Sequence, residues 1–260
     1  MSTQTIRTES SANILTVTID RQDKLNAINR AMIAELDQIF SAAGADPEVR
    51  VVVLTGAGQK AFIAGADIAE LRDLDAAGAA AASREGQQLT LKIQNLGKPV
   101  IAAVNGFALG GGCEMALACT LRIASSNALL GLPEIKLGVL PGYGGTQRMA
   151  RLVPRAVAME MALTGDPVSA QRALELGLVN RVVEADELAP AVAALAGKLA
   201  ASAPRAMRCI MEAINHGADG DLESGLQLES GFFGEVFATE DMREGTLAFL
   251  EKRKPVFTGQ

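Results

Sequence analysis

Two glutamates lie in stretches of the chain that carry little other charge. Glu114 stands between Cys113 and a small apolar run that ends at Cys119, and Glu134 follows the mainly apolar residues 129–133. Ionising a carboxyl group among apolar neighbours is unfavourable, so its pKa rises toward neutrality, where it can exchange protons. A single such glutamate is more commonly a salt-bridged surface residue. Two of them beside glycine-rich backbone favour an acid–base site.

Three consecutive glycines, Gly110, Gly111 and Gly112, come just before Glu114. They follow a predicted strand and open a predicted helix, so no side chains cover the backbone N–H groups there. Such groups can bind an anion or an oxyanion that develops during a reaction. Close packing of a helix on a sheet would use the same glycines, and from these residues alone both interpretations stay open.

Two further small-residue segments carry weaker signals. Residues 61–67 lead into Asp67 and predict exposed amides with Asp67 as a helix cap, although a simple capped loop is the plainer interpretation. Residues 56–61 are similar to a dinucleotide-binding fingerprint. That fingerprint needs a helix to begin at its third small residue, whereas the chain here runs into another turn. We therefore predict a hairpin-like loop and no nicotinamide site.

The supply of metal-binding and nucleophilic side chains is small. The chain has one histidine, His216, and three cysteines, Cys113, Cys119 and Cys209, with no paired spacing. These numbers disfavour a zinc site, and they predict reduced thiols in a cytosolic compartment. His216 lies in the polar stretch 215–220, which predicts a solvated loop histidine and not a member of a catalytic triad.

The overall composition excludes several classes of protein. Apolar residues make up 49% of the 260 residues and charged residues 21%, which predicts a folded chain with a sizeable core. The net charge of −6 disfavours a general nucleic-acid binder. No apolar run reaches the length of a membrane span, and the first dozen residues lack the apolar core of a signal peptide. We expect a soluble, cytoplasmic protein.

Hydrophobic periodicity predicts an α/β fold. Strands are predicted at residues 13–19, 50–55, 99–104 and 121–124, and helices at 27–43, 78–96 and 112–118. Residues 133–141 predict loop and turn. From residue 146 onward the pattern is helical except near 179–183. Strands and helices alternate first and helices dominate the end, so we predict an α/β core (1–197) followed by a helical region (198–260).

Taken together, these segments resemble the crotonase superfamily, and within it the enoyl-CoA hydratases. The resemblance rests on segments in the family's order along nearly the whole chain: 61–68, 98–114, 132–148, 158–165, 237–245 and 248–254. It implies a spiral of ββα units whose C-terminal helices build a homotrimer, commonly paired into a hexamer. It also implies reversible syn addition of water to a short trans-2-enoyl-CoA, a lyase reaction typical of fatty-acid β-oxidation, without metal, nucleotide or redox cofactor.

The resemblance also implies roles for particular residues. The N–H groups of Ala66 and Gly111 would form an oxyanion hole for the thioester oxygen. Glu114 would activate a water for attack at Cβ, and Glu134 would supply a proton to Cα. The remaining implied substrate-binding residues are Ala64, Asp67, Ile68, Gly142, Tyr143, Phe233 and Lys252.

This chain departs from the family pattern at two positions. Ala69 stands where many relatives have a lysine that meets the coenzyme A phosphates, which puts that contact in doubt. Tyr143 stands where some relatives have alanine, and it is expected to narrow or re-line the acyl pocket.

Two other functions compete with the hydratase. Enoyl-CoA isomerases typically retain only the second glutamate, so the presence of both Glu114 and Glu134 favours a hydratase over an isomerase or another acyl-CoA enzyme of the superfamily. The alternative from a different class is a non-catalytic RNA-binding scaffold, which the acidic charge balance disfavours.

Residues 222–237 are rich in large apolar side chains near the end of the chain. They predict a subunit interface, unless the tail folds back on its own core. In relatives, the positions matching Phe233 and Lys252 reach coenzyme A on an adjacent subunit.

Overall fold

Two β-sheets form the centre of the molecule. The structure, a computed structural model, describes residues 5–260, so residues 1–4 of the predicted core lie outside the described part. The larger sheet has six strands, in spatial order β1 (Ile6–Ser11), β2 (Ile14–Ile19), β3 (Val51–Gly56), β5 (Val100–Val104), β7 (Leu121–Ser125) and β10 (Arg181–Val183). The smaller sheet has four, in the order β4 (Ala61–Ala64), β6 (Phe107–Leu109), β8 (Leu129–Gly131) and β9 (Val168–Ser169).

Helices cover both sheets and then continue alone to the end of the chain. The helices are α1 (Arg30–Ala45), α2 (Ile68–Leu71), α3 (Ala76–Gln94), α4 (Gly111–Ala118), α5 (Gly145–Leu152), α6 (Arg155–Thr164), α7 (Ala170–Glu175), α8 (Leu188–Ala200), α9 (Pro204–Gly217), α10 (Leu222–Phe237) and α11 (Glu240–Leu250).

The chain repeats one path through the two sheets. β3, β5 and β7 lie side by side and parallel in the larger sheet, and each is followed at once by β4, β6 or β8 in the smaller sheet. Helical segments then return the chain to the larger sheet. These successive ββα units confirm the predicted spiral and the α/β class.

The central strands are buried on both faces, as their continuous apolar runs predict. In β3, Val51 and Val53 face α8, whereas Val52 and Leu54 face the main core between the larger sheet and the other helices. Side chains alternate across a strand, so one unbroken apolar run supplies two separate cores.

Several predictions of local structure are wrong. Residues 57–60 connect β3 to β4 in the other sheet, so they do not form a hairpin. Residues 133–137, predicted as loop, form a 3-10 helix (Pro133–Leu137), because a proline opens it and Gly138 closes it in the left-handed conformation. β1 and the short strands of the smaller sheet were not predicted. The latter have only two to four residues, too few to show a period.

His216 is exposed, as expected, but it is not in a loop. It lies in the last turn of α9, because the helical pattern runs on to Gly217. A basic side chain is favourable in that position, near the negative end of the helix dipole.

The C-terminal helices leave many apolar side chains exposed to solvent. α10 packs along α9, where Arg208 pairs with Glu235, but no residue of α10 is buried. The tail therefore does not hide its apolar residues against its own core. The predicted boundary at residue 197 falls in the last turn of α8, and we place the start of the helical region at α9.

Within residues 5–260, no helix is both long enough and apolar enough to cross a membrane.

Candidate active site

The first turn of α4 places Glu114 inside the protein. Gly110 precedes the helix with φ 52° and ψ −125°, a conformation that side-chain-bearing residues rarely adopt, and its N–H donates to the carbonyl of Gly131 in β8 (2.9 Å). This turn ties the start of α4 to the smaller sheet. Glu114, on the first turn, is consequently only 1% exposed.

Two backbone amides lie close to each other beside this helix start. A Cβ atom built on Gly111 would lie 3.7 Å from the amide nitrogen of Ala66. Ile28 pairs with the strand-like segment on either side of Ala66, accepting from Asp67 (2.8 Å) and donating to Gly65 (2.9 Å). No acceptor within residues 5–260 takes the N–H of Ala66 or Gly111. The structure thus brings together the two amides that the sequence analysis paired, with both hydrogens free for an anionic oxygen.

One oxygen of the Glu114 carboxyl accepts hydrogen bonds from the turn that precedes α5. The N–H groups of Tyr143 (2.8 Å) and Gly145 (2.7 Å) both donate to Oε1 of Glu114. Burial raises the pKa of Glu114 to about 7, although the hydrogen bond from Gly145 opposes the rise. The charge of Glu134 also raises this pKa, whereas Tyr143 N–H and Arg148 lower it. Glu114 can therefore change its protonation state near neutral pH.

Glu134 approaches the same place from the 3-10 helix. Its Oε1 would lie 3.0 Å from a Cβ atom built on Gly110, next to the start of α4. Its Oε2 is buried and has no hydrogen-bond partner among the described residues. Burial raises the pKa of Glu134 as well. A buried polar atom without a partner is costly, and a carboxyl group left in that state is suited to receive a ligand or a water.

Tyr143 separates this carboxyl pair from a cavity of about 500 Å³. Its ring packs on Gly86 of α3, where any Cβ atom would overlap it, and its edge lies 3.2 Å from a Cβ atom built on Gly111. Burial raises the pKa of its hydroxyl to about 12, so it stays protonated. Ala66 and Tyr143 both line the cavity, which α1, α2 and α3 enclose. A group bound to the two free amides can therefore extend into it.

The neighbouring predicted residues are close to Ala66 but differ in what they contact. Ala64 ends β4, and Asp67 caps α2 by accepting from the N–H of Ala69 (3.1 Å). The carboxylate of Asp67 also pairs with Arg21 (2.8 Å), which lowers its pKa. Ile68 is exposed, and Ala69 lines the cavity without offering a charge. Asp67 thus fixes the segment that carries Ala66.

One part of the site was missed in the sequence. The sequence analysis named Gly142 but not the two side chains of α3 that bind its carbonyl. Ser83 (2.6 Å) and Gln87 (3.0 Å) both donate hydrogen bonds to this carbonyl oxygen. Thr90, further along the same face, donates to the carbonyl of Tyr143 (2.9 Å). A signal was present: Ser83, Gln87 and Thr90 recur at helical spacing along one face of α3.

Comparisons with known proteins agree with this arrangement. The profile of the enoyl-CoA hydratase/isomerase family matches residues 9–260. The chain is 45% identical to the short-chain-enoyl-CoA hydratase of Clostridium acetobutylicum, covering 95% of this chain and 94% of that protein. It is 43% identical to the crotonyl-CoA hydratase of Syntrophomonas wolfei, covering 99% of both. The crystal structure of enoyl-CoA hydratase from Bacillus anthracis superposes with a TM-score of 0.95 at 40% identity, covering 99% of this chain and 100% of that one.

The chain belongs to the enoyl-CoA hydratase/isomerase family. The fold and the family inferred from the sequence are thereby confirmed.

In this member of the enoyl-CoA hydratase/isomerase family, two predicted residues lie apart from the rest. Phe233, on α10, is 65% exposed, and its ring contacts that of Phe237 on the same helix in a tilted arrangement, with ring centroids 4.7 Å apart. Lys252 follows α11 in a turn with φ 56°. Neither lines the cavity that reaches Ala66. Within one chain the structure therefore does not bring them to the site.

Proposed function

We propose that this protein is an enoyl-CoA hydratase that adds water reversibly, with syn geometry, to a short trans-2-enoyl-CoA to give the 3-hydroxyacyl-CoA. One observation carries the proposal. A buried carboxyl, Glu114, and a partly buried one, Glu134, both with raised pKa values, meet at a helix start where two backbone amides have free hydrogens. The printed names of the two relatives, a short-chain-enoyl-CoA hydratase and a crotonyl-CoA hydratase, support the same reaction.

The reaction follows from where charge develops. The amides of Ala66 and Gly111 bind the thioester oxygen, which polarises the conjugated double bond and makes Cβ electrophilic. As the water oxygen bonds to Cβ, Glu114 takes a proton from it and the π electrons move onto the thioester oxygen as an enolate. The fixed N–H dipoles stabilise this oxyanion without reorganising. The enolate then collapses, and Cα takes a proton from Glu134.

The surroundings of the two carboxyls fit these different roles. Two N–H donors on Oε1 favour the ionised form of Glu114, which is the form that a base needs. Glu134 has a buried, unpartnered oxygen, which favours the protonated form that an acid needs. On this hydrogen-bonding difference we assign Glu114 as the base and Glu134 as the acid.

Tyr143 and the cavity support a preference for compact acyl groups. The ring edge lies against Gly111, so it occupies space beside the reacting carbons, and the cavity beyond is lined partly by the apolar residues Ile28, Leu71 and Leu74. Binding to such walls favours an uncharged hydrocarbon chain. Ala69 stands where many relatives have a lysine for the coenzyme A phosphates, so this position offers no charge for that contact.

We also propose that the reaction uses no metal or organic cofactor, because two carboxyls and an oxyanion hole supply each proton transfer and the stabilisation of charge. All three cysteines are buried and unpaired, which supports a reducing, cytoplasmic location.

We further propose a homotrimer, alone or paired into a hexamer, in which α10 and α11 contact a neighbouring subunit. Large apolar side chains on these helices are exposed in the single chain, Leu222 by 78% and Phe249 by 82%. Phe233 and Lys252 would then reach coenzyme A bound to that neighbour.

The experiment that tests the function is direct. Purified protein, treated with a chelator and freed of nucleotides, is mixed with crotonyl-CoA, and hydration is followed as loss of the conjugated enoyl thioester absorbance. An acyl-length series then defines the preferred chain. Activity only on 3-enoyl-CoA would identify an isomerase instead, and salt-sensitive RNA binding without either activity would support the scaffold.

A further inference from the structure

Helix α3 carries a row of polar side chains that points at the turn in front of α5. Ser83, Gln87, Thr90 and Gln94 are spaced by four, three and four residues, so they share one face of the helix. Each makes a hydrogen bond to residues 142–148. A second face of α3, which includes Ala81 and Ala82, lines the cavity.

The peptide unit that joins Gly142 to Tyr143 is bound at both of its polar ends. Its carbonyl oxygen, on Gly142, accepts hydrogen bonds from Ser83 Oγ (2.6 Å) and Gln87 Nε2 (3.0 Å). Its N–H, on Tyr143, donates to Oε1 of Glu114 (2.8 Å). The carbonyl and the N–H of a trans peptide point in opposite directions, and this chain contains no cis peptide among residues 5–260. Donors on the carbonyl therefore orient and polarise the N–H that holds Glu114.

The next peptide unit, which joins Tyr143 to Gly144, is held by a second pair of side chains. Thr90 Oγ1 (2.9 Å) and Arg148 (3.2 Å) donate to the carbonyl of Tyr143, and Arg148 is itself oriented by Gln94 (2.9 Å). Thr90 is fully buried, so its hydroxyl has no competing solvent. The turn is consequently held along its length, with Gly145 N–H as the second donor to Glu114.

We propose that Ser83 and Gln87 are positioning residues for Glu114, acting through the single peptide unit between Gly142 and Tyr143. They never touch the reacting atoms. Their effect is to aim and strengthen one of the two N–H groups that favour the ionised form of Glu114. The role of Glu114 as a base rests on the proposed hydratase function, whereas the effect on its ionisation does not.

Other charged or titratable groups also act on Glu114. Glu134 from the 3-10 helix raises the pKa of Glu114, and Arg148 from α5 lowers it. The Tyr143 hydroxyl and the adjacent thiol of Cys113 are also close to Glu114, and its charge raises the pKa of each. Ser83 and Gln87 carry no charge and do not titrate, so replacing them changes the hydrogen bonding of the turn while leaving this set intact. A shift in the pKa of Glu114 in these variants would therefore show that Ser83 and Gln87 act on it through the peptide between Gly142 and Tyr143.

The test compares Ser83→Ala, Gln87→Met and their double variant with two controls. Ser83→Thr keeps the hydroxyl, and Gln88→Met makes the same change as Gln87→Met at the next, exposed position of α3. Weaker N–H donation disfavours the ionised carboxyl, so the pKa of Glu114 should rise, by about 0.5–1 unit in the double variant. The acidic limb of kcat/KM for crotonyl-CoA should move to higher pH by the same amount, and the controls should match the wild type.

A second readout keeps the inference separate from the proposed function. The protein is labelled with ¹³C at the glutamate carboxyls, and the Glu114 signal is identified by its loss in Glu114→Gln and titrated by NMR. If the wild type fails to hydrate crotonyl-CoA, the proposed function is wrong, but this titration still decides the inference. An unchanged Glu114 titration in the double variant, or an equal shift in Gln88→Met, would overturn it.

Discussion

The most informative residues are Glu114 and Glu134, because their surroundings differ although their chemistry is the same. Glu114 receives two backbone N–H groups on one oxygen, whereas one oxygen of Glu134 is buried without a partner. In the proposed mechanism, this difference in environment is what distinguishes the base from the acid.

Replacing either carboxyl should stop most of the chemistry and leave binding nearly intact. Glu114→Gln and Glu134→Gln keep the shape of the side chain, and each should lower kcat for crotonyl-CoA hydration by about 10²–10⁴-fold, the usual loss when a general acid or base is removed. The double variant should lose far less than the product of the two, since the pair acts as a unit. Near-wild-type turnover in either single variant would show that the carboxyl has another role.

The pH dependence of kcat/KM should report the same pair. Glu114 must be ionised to accept a proton, so the rate should fall as pH drops below the pKa of about 7. Glu134 must be protonated, and burial raises its pKa, so the rate should also fall as that carboxyl loses its proton. A profile with its acidic limb near 4.5, the ordinary value for glutamate, would mean that Glu114 is not the base.

At the scale of elements, helix α4 positions Glu114 at its N-terminal end, and a buried arginine binds its C-terminal end. Arg122 of β7 is 6% exposed and donates to the carbonyls of Ala116 (3.3 Å), Cys119 (2.5 Å) and Leu178 (2.7 Å). The bond to Cys119 satisfies the carbonyl of the residue that caps α4, whereas the Ala116 carbonyl also accepts from the N–H of Cys119 (3.2 Å). The same side chain joins α4 to the segment that leads into β10.

Removing this arginine should cost stability. Arg122→Met fills similar volume but leaves buried carbonyls without donors, so the free energy of unfolding should fall by about 2–4 kcal/mol. Urea denaturation measures the change. Arg181→Met, at an exposed position of β10, is the matched control and should differ from wild type by no more than about 0.5 kcal/mol. Equal midpoints for the two variants would show that the carbonyls find other donors.

At the scale of the whole molecule, the exposed apolar face of α10 and α11 should be covered by other subunits. We expect a trimer-based assembly in sedimentation. Phe249→Asp places a charge on this face and should shift the assembly toward monomers. Thr8→Asp adds the same charge at an exposed position of the edge strand β1 and serves as the control. A stable, active wild-type monomer would contradict the assembly.

The same assembly predicts how Lys252 contributes. A lysine that meets the nucleotide end of coenzyme A on a neighbouring subunit stabilises the ground state and the transition state equally. Lys252→Ala should therefore raise KM for crotonyl-CoA more than it lowers kcat, measured in steady state. The opposite pattern, a drop in kcat at constant KM, would place Lys252 near the chemistry instead.

The sequence by itself determined the family, the α/β class, the long central elements and the identity of the carboxyl pair. Long apolar runs and helical periods are local signals, and Glu114 and Glu134 differ from their own immediate neighbours. Their burial and raised pKa could thus be predicted from a few residues on either side. Short strands such as β6 and β9 could not, because they are shorter than any period that would mark them.

Only the tertiary structure decided which groups act on those carboxyls. Ala66 and Gly111 lie 45 positions apart, and their amides meet because β4 and β6 are neighbours in the smaller sheet. Ser83 and Gln87 reach Glu114 through a peptide far along the chain, because α3 packs across the turn before α5. Sequence spacing reveals which residues share a helix face. It does not reveal what that face meets, since this depends on how distant elements pack.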